Sequence, residues 1–157
     1  MPLHSLAVVR AAIWFVSVVA VMPLTVRAQA QPSRHSVQNL ADIKWNDGGA
    51  GLASAVLDGD PSAAGKSYSL LLKLRDGFWI QPHWHPFDKR VVVLQGTMLM
   101  GMGDVVDASK ASALSVGGTS LVPAETHHFE GARGETILLL YGTGPLTTNF
   151  IKLPAKP

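Results

Sequence analysis

The sequence predicts an all-β fold in one domain, on three observations. Turn-forming clusters recur at close intervals from residue 46 onward. The segments between them are short and rich in Val, Leu, Ile, Thr, Tyr and Trp. No heptad or fixed-period repeat runs through them. Many short strands in a domain of this size indicate a sandwich or a barrel, and pattern alone leaves the strand order open.

Residues 1–30 do not read as part of that domain. MPLHSLAVVR carries one arginine and no acid, AAIWFVSVVAVM is apolar, and PLTVRAQA ends on the small residues of Ala28-Gln29-Ala30. Charged, then apolar, then small is the order of a secretory signal, cleaved here to leave Gln31 first. A retained membrane anchor is the alternative. It fits less well, because only 16 residues separate Arg10 from Arg27, Pro23 among them, whereas a spanning helix needs about 20. The expectation is an exported protein, periplasmic or secreted, with no membrane attachment after signal cleavage. Residues 31–36, QPSRHS, read as a flexible leader and 37–157 as the folded domain.

Within the domain, turns are expected at NDGGAG (46–51), DGDPSAAG (58–65), RDG (75–77), QG (95–96), VGG (116–118), GARG (131–134) and GTGP (142–145). Strands are expected at YSLLLKL, FWIQPHWH, RVVVLQ, TMLMGM, TSLVPA and ETILLLY. VVDASKASAL (105–114) has room for a helical turn or two, or for a loop. Met98, Met100 and Met102 alternate along one strand face. A thioether row suits copper(I), but methionine more often fills irregular core gaps, and core is the expectation here. Phe78, Trp79, Trp84 and Phe87 are candidates to wall a pocket, though packing alone also explains them.

Charge and composition exclude several function classes. Of the 13 Lys and Arg, Arg10 and Arg27 fall in the expected signal, which leaves 11 bases against 11 acids in the mature chain. A mature chain of zero net charge with no basic stripe gives no support to a nucleic-acid partner. With no cysteine, disulfides and thiolate metal sites are unavailable, so any metal must be held by His, Asp, Glu or backbone oxygen. No nucleophile elbow and no GxGxxG pattern is present, and GTGPL precedes no helix-like stretch that would make it a phosphate loop.

The chemistry-bearing residues are histidines. In GFWIQPHWHPFDKRVVVLQG (77–96), His83 and His85 share one strand face and Trp84 takes the other. Two such imidazoles, roughly 6–7 Å apart at their Cα atoms, can converge on one ion at about 2.1 Å. A lone HxH is weak evidence, since half-buried hydrogen-bonded histidines give the same pattern. A second segment, GGTSLVPAETHHFEG (117–131), adds His127 and His128. These two segments hold four of the six histidines.

Together the segments resemble the paired motifs of the cupin superfamily, small β-barrels of jelly-roll topology. The first motif runs Gly, five residues, His-x-His, three or four residues, Glu, six residues, Gly. Here Gly77, FWIQP, His83-Trp84-His85, PFD, Lys89, RVVVLQ and Gly96 follow that spacing, with Lys89 at the glutamate position. The second motif runs Gly, five residues, Pro-x-Gly, two residues, His, three residues, Asn. Here Gly117, GTSLV, Pro123-Ala124-Glu125, Thr126-His127 and His128 follow it, with Glu125 at the middle glycine and Ala132 at the asparagine. The resemblance spans about residues 65–142 and implies a barrel with a divalent metal at its mouth, bound by His83, His85 and His128. The metal is open among iron, manganese, zinc and nickel.

The fourth ligand is open as well. Glu130 shares the face of His128 and is the better-placed substitute, although a solvated residue beside GARG is the plainer reading. Asp88 would need a bulge to turn inward. His127 faces away from His128 and is expected to be structural. The Lys89 stem is expected to carry its head to water. The other reading keeps that head in the pocket, paired with Glu130 or with an anionic substrate.

Three function classes follow. In the first, three neutral histidines leave coordination positions free for water or a small-molecule substrate, the arrangement of catalytic zinc sites. The resemblance implies dioxygenase, isomerase or lyase chemistry and chooses none of them. In the second, the barrel is a non-catalytic ligand-binding or sensing cup whose metal site is weakened by an ammonium with no lone pair to offer. A third and weaker class is an interaction module that oligomerises through an exposed strand or barrel face, a homodimer being the simplest such assembly.

Overall fold

The computed structural model describes residues 37–152, so the expected signal (1–30) and leader (31–36) lie outside the described residues. Nine strands form among the described residues: β1 (Asn46–Asp47), β2 (Leu52–Gly59), β3 (Ser67–Leu74), β4 (Trp79–Trp84), β5 (Lys89–Met102), β6 (Ser112–Leu114), β7 (Thr119–Val122), β8 (His128–Thr143) and β9 (Asn149–Phe150). Every pairing is antiparallel. The order β1-β2-β3-β8-β4-β9 is joined through β8 to β5, which also carries β6 and β7. This is the all-β architecture expected, a single antiparallel sheet curled on itself. The segment 105–114 contributes one 3-10 turn, Ala108–Lys110, where the Ser109 N–H donates to the Asp107 side chain at 3.1 Å. No helix among the described residues is long and apolar enough to cross a membrane.

Two long strands organise the sheet, and here the sequence expectation needs correction. QG (95–96) and GARG (131–134) were expected to end strands. Instead β5 and β8 run straight through them. Gly96 and Gly134 do take left-handed backbone, at φ 73° and 72°. At these points, however, the chain bends without reversing. The β5–β8 ladder slips between Gln95 and Thr97 and then resumes from Thr97↔Arg133 to Met102↔His128. A slip of this kind turns a strand from one side of a barrel to the other while its pairing continues. Thr136, fully buried, secures the bend: its hydroxyl accepts the Thr97 N–H at 3.2 Å.

The core lies inside the curl. Leu74, Val91, Val93, Met98, Leu138 and Leu140 belong to it, and all are essentially inaccessible to solvent. In β5 the alternation sends positions 89, 91 and 93 inward and Arg90 outward. The methionine row divides: Met98 and Met100 are core, as expected, but Met102 at the strand end is exposed. Glu125 has φ 60°, so it adopts the left-handed conformation that a glycine takes freely.

Candidate metal centre

The end of β4 and the start of β8 bring the histidines together. His83 pairs directly across from His128 in the β4–β8 ladder, and His85 follows two residues later on the same side. The ring centroids lie 4.2 Å apart for His83–His128, 4.9 Å for His83–His85 and 5.3 Å for His85–His128. All three side chains are buried.

Each ring is held by its Nδ1. His83 donates to the Gln81 carbonyl at 2.7 Å, His85 to that of Thr147 at 2.8 Å and His128 to that of Thr126 at 2.8 Å. A carbonyl only accepts, so this assigns the proton to Nδ1 and leaves each Nε2 with a bare lone pair. Backbone carbonyls play this same role behind metal-bound histidines, fixing tautomer and ring orientation. One ring nitrogen from each residue lies within 4.8 Å of the other two. The His85 Nε2 is buried and has no hydrogen-bond partner. A buried lone pair without a partner is rare and costly, and a cation would satisfy it. This donor set fits a divalent ion held by three imidazoles.

Lys89 and Glu130 complete the floor. The Lys89 Nζ donates to Glu130 Oε1 at 2.7 Å and lies 3.3 Å from His128 Nε2, with both residues at 2% exposure or less. The expectation that Lys89 reaches water is therefore overturned, as is the reading of Glu130 as a solvated residue. Inward alternation with Val91 and Val93 points Lys89 into the barrel, and Glu130 there supplies the counter-charge for an ammonium removed from water. Glu130 shares the face of His128, as expected. Its Oε1 is nevertheless engaged by Lys89 and stands 3.8 Å from His128 Nε2.

The electrostatics follow from burial and from Lys89. Burial and then the ammonium push His85 down to about 3 and His128 down to about 4. Burial also lowers His83. Burial is the largest influence and would raise the Glu130 carboxyl, but the charge and hydrogen bond of Lys89, with His128 and His83, together outweigh it and keep the group ionised below the usual carboxylate range. At neutral pH the floor thus holds three neutral imidazoles and one ion pair.

The other candidates lie elsewhere. His127 is half-buried and bonds Asp104 at 2.6 Å, turned away from the cluster as expected. The Asp88 carboxylate accepts the Ala124 N–H at 2.9 Å and stays outside the site. None of Phe78, Trp79, Trp84 and Phe87 lines the cavity over the histidines. Trp79 packs on Phe129 instead, with centroids 5.9 Å apart.

That cavity, about 350 Å³, has His83, His85, Lys89 and Glu130 at one end and is otherwise mainly aliphatic. Leu146, Thr148 and Phe150, from the C-terminal stretch, also line it. This C-terminal stretch is tied down by Ile151 N–H donating to the Pro82 carbonyl at 2.9 Å. Sequence reasoning read the neighbouring GTGP only as a turn. The inward phase of Lys89 was visible in its alternation with two valines. No local signal marked Thr147, which acts through its backbone carbonyl.

No protein-family model and no curated protein matches the sequence. Solved structures do. KdgF from Halomonas sp. superposes with a TM-score of 0.55 at 19% identity, over 69% of this chain and 95% of that one. A cupin superfamily protein from Desulfitobacterium hafniense gives 0.53 at 17% identity, over 71% and 93%. An RmlC-like cupin from Shewanella frigidimarina gives 0.56 at 16% identity, over 69% and 90%. At such identities the likeness is one of fold, and the fold is that of the cupins.

Proposed function

We propose that this cupin-fold chain holds one divalent metal ion on the Nε2 atoms of His83, His85 and His128 and binds a small organic molecule in the adjoining cavity. The observation that carries this reading is the cluster of three unprotonated Nε2 atoms, each ring backed by a carbonyl on Nδ1, with the His85 Nε2 buried and unpartnered. A metal in such a site supplies a Lewis acid, or a water whose acidity is raised. The protein's own groups hold the imidazoles neutral, line the cavity with leucines and offer Lys89 as a hydrogen-bond donor at the floor.

A second reading has its own observation. Lys89 Nζ lies 3.3 Å from the His128 Nε2 lone pair that a metal would use. An ammonium at that position weakens metal binding and favours a ligand-binding or sensing cup without turnover.

The sequence order of residues 1–30 supports export, so the protein is to be isolated from the exported fraction. Its intact mass should correspond to a chain beginning at Gln31, and its metal content should approach one divalent ion per chain. Alanine at His83, His85 or His128 should remove most of the metal, and His127→Ala should keep it. A wild-type protein that takes up no divalent ion would sink the metal reading, and equal losses at His127 and His128 would sink the assignment of ligands.

A further inference from the structure

With a divalent ion on three neutral imidazoles, the cavity floor carries more positive charge than the protein balances. The cavity's ionisable lining residues are His83, His85, Lys89 and Glu130. Lys89 and Glu130 cancel each other across 2.7 Å. The two charges of the ion then stand uncompensated among aliphatic side chains, where a buried unpaired charge is strongly disfavoured. A glutamate at position 89 would bring the same floor to neutrality. The ammonium there leaves the negative charge to be supplied from outside.

We propose, on the metal reading above, that the cavity takes a small carboxylate with an apolar body, whose anionic head supplies the charge that position 89 withholds. Lys89 is placed to receive that head. An ammonium has three N–H donors; Glu130 engages one, and the one 3.3 Å from His128 Nε2 is released once that lone pair takes the ion. The body of the ligand is set by the walls: Leu52, Leu70, Leu72, Ile80, Leu140 and Leu146 present hydrocarbon. Phe150, 58% exposed, also lines the cavity and lies 5.7 Å from the His83 ring. A cavity of about 350 Å³ is at the small end for organic ligands, roughly 300–1,000 Å³. A neutral, hydroxyl-rich sugar would neither balance the charge nor pair its hydroxyls on such walls.

The test uses the cobalt(II)-loaded protein, with calorimetry and the visible absorption of the cobalt as readouts. Hexanoate should bind at least tenfold more tightly than hexanamide and more tightly than acetate, and should shift the cobalt bands. Chelation of the metal, or Lys89→Glu with cobalt still bound, should weaken hexanoate at least tenfold. Equal affinity for hexanoate and hexanamide on cobalt-loaded wild type overturns this inference and leaves the metal reading standing. Failure of the wild type to take up cobalt overturns both. The comparison of the two wild-type ligands decides the matter even if Lys89→Glu fails to fold.

Discussion

At position 89 the chain buries an ammonium against a carboxylate 41 residues away, at 2.7 Å, with both groups almost wholly out of solvent. Desolvating the two charges costs about as much as their attraction returns, so the pair is no reserve of stability in itself. Removing one partner is a different matter, because the other is left charged and unpaired. Lys89→Met should therefore destabilise the metal-free protein by roughly 3–5 kcal/mol in urea unfolding. The double variant Lys89→Met, Glu130→Met should recover most of that loss. A single variant as stable as wild type would show that Glu130 finds another partner or takes up a proton. Half of this arrangement was legible in the sequence. Alternation with Val91 and Val93 sets the inward phase of Lys89. The partner appeared only in the second reading, as Glu130 or an anionic substrate, because the choice depends on how β8 registers against β4 and β5, with Glu130 opposite Ile80 and Met100.

At the scale of the element, β5 and β8 each bend about a left-handed glycine, and the two glycines differ in what surrounds them. A Cβ at Gly96 would collide with the Glu135 carbonyl and reach the Thr136 hydroxyl at 2.6 Å, whereas one at Gly134 would meet nothing within 4 Å. Left-handed backbone costs a non-glycine residue about 1–2 kcal/mol at either position. Gly134→Ala should thus lose about that much, and Gly96→Ala distinctly more, in thermal unfolding of the two variants side by side. Equal losses would mean that the bend at Gly96 opens freely to admit a side chain. This pair also explains why two strands were cut short in the sequence expectation. A hairpin and a mid-strand bend make the same local demand for positive φ. Only the continuing β5–β8 ladder on both sides distinguishes them, and ladders are not written in a dipeptide.

For the whole molecule, the site makes stability depend on acidity. In the metal-free protein His85 and His128 are held down to about 3 and about 4, chiefly by burial and then by Lys89, and burial lowers His83 as well. In the unfolded chain a histidine titrates near 6.5. Below that value the unfolded state binds protons that the folded state refuses, so stability falls with pH until the folded groups titrate in turn. The stability supplied by neutral buried histidines is fully present above about 6.5 and is lost progressively toward 4 and 3. Glu130 acts in the same direction further down, because its lowered carboxyl stabilises the fold only while it is ionised. A divalent ion binds the folded state through deprotonated ligands. It should raise stability most near neutrality, by about 2.7 kcal/mol at a hundred times its dissociation constant, and progressively less as protons compete. Urea unfolding at pH 7, 6, 5 and 4, with added zinc and with a chelator, should give two curves that both descend toward acid and converge as they do. A metal-free curve that stays level between pH 6.5 and 5 would mean that the three imidazoles are not held neutral by the fold, and the site would lose the lone pairs on which its chemistry depends.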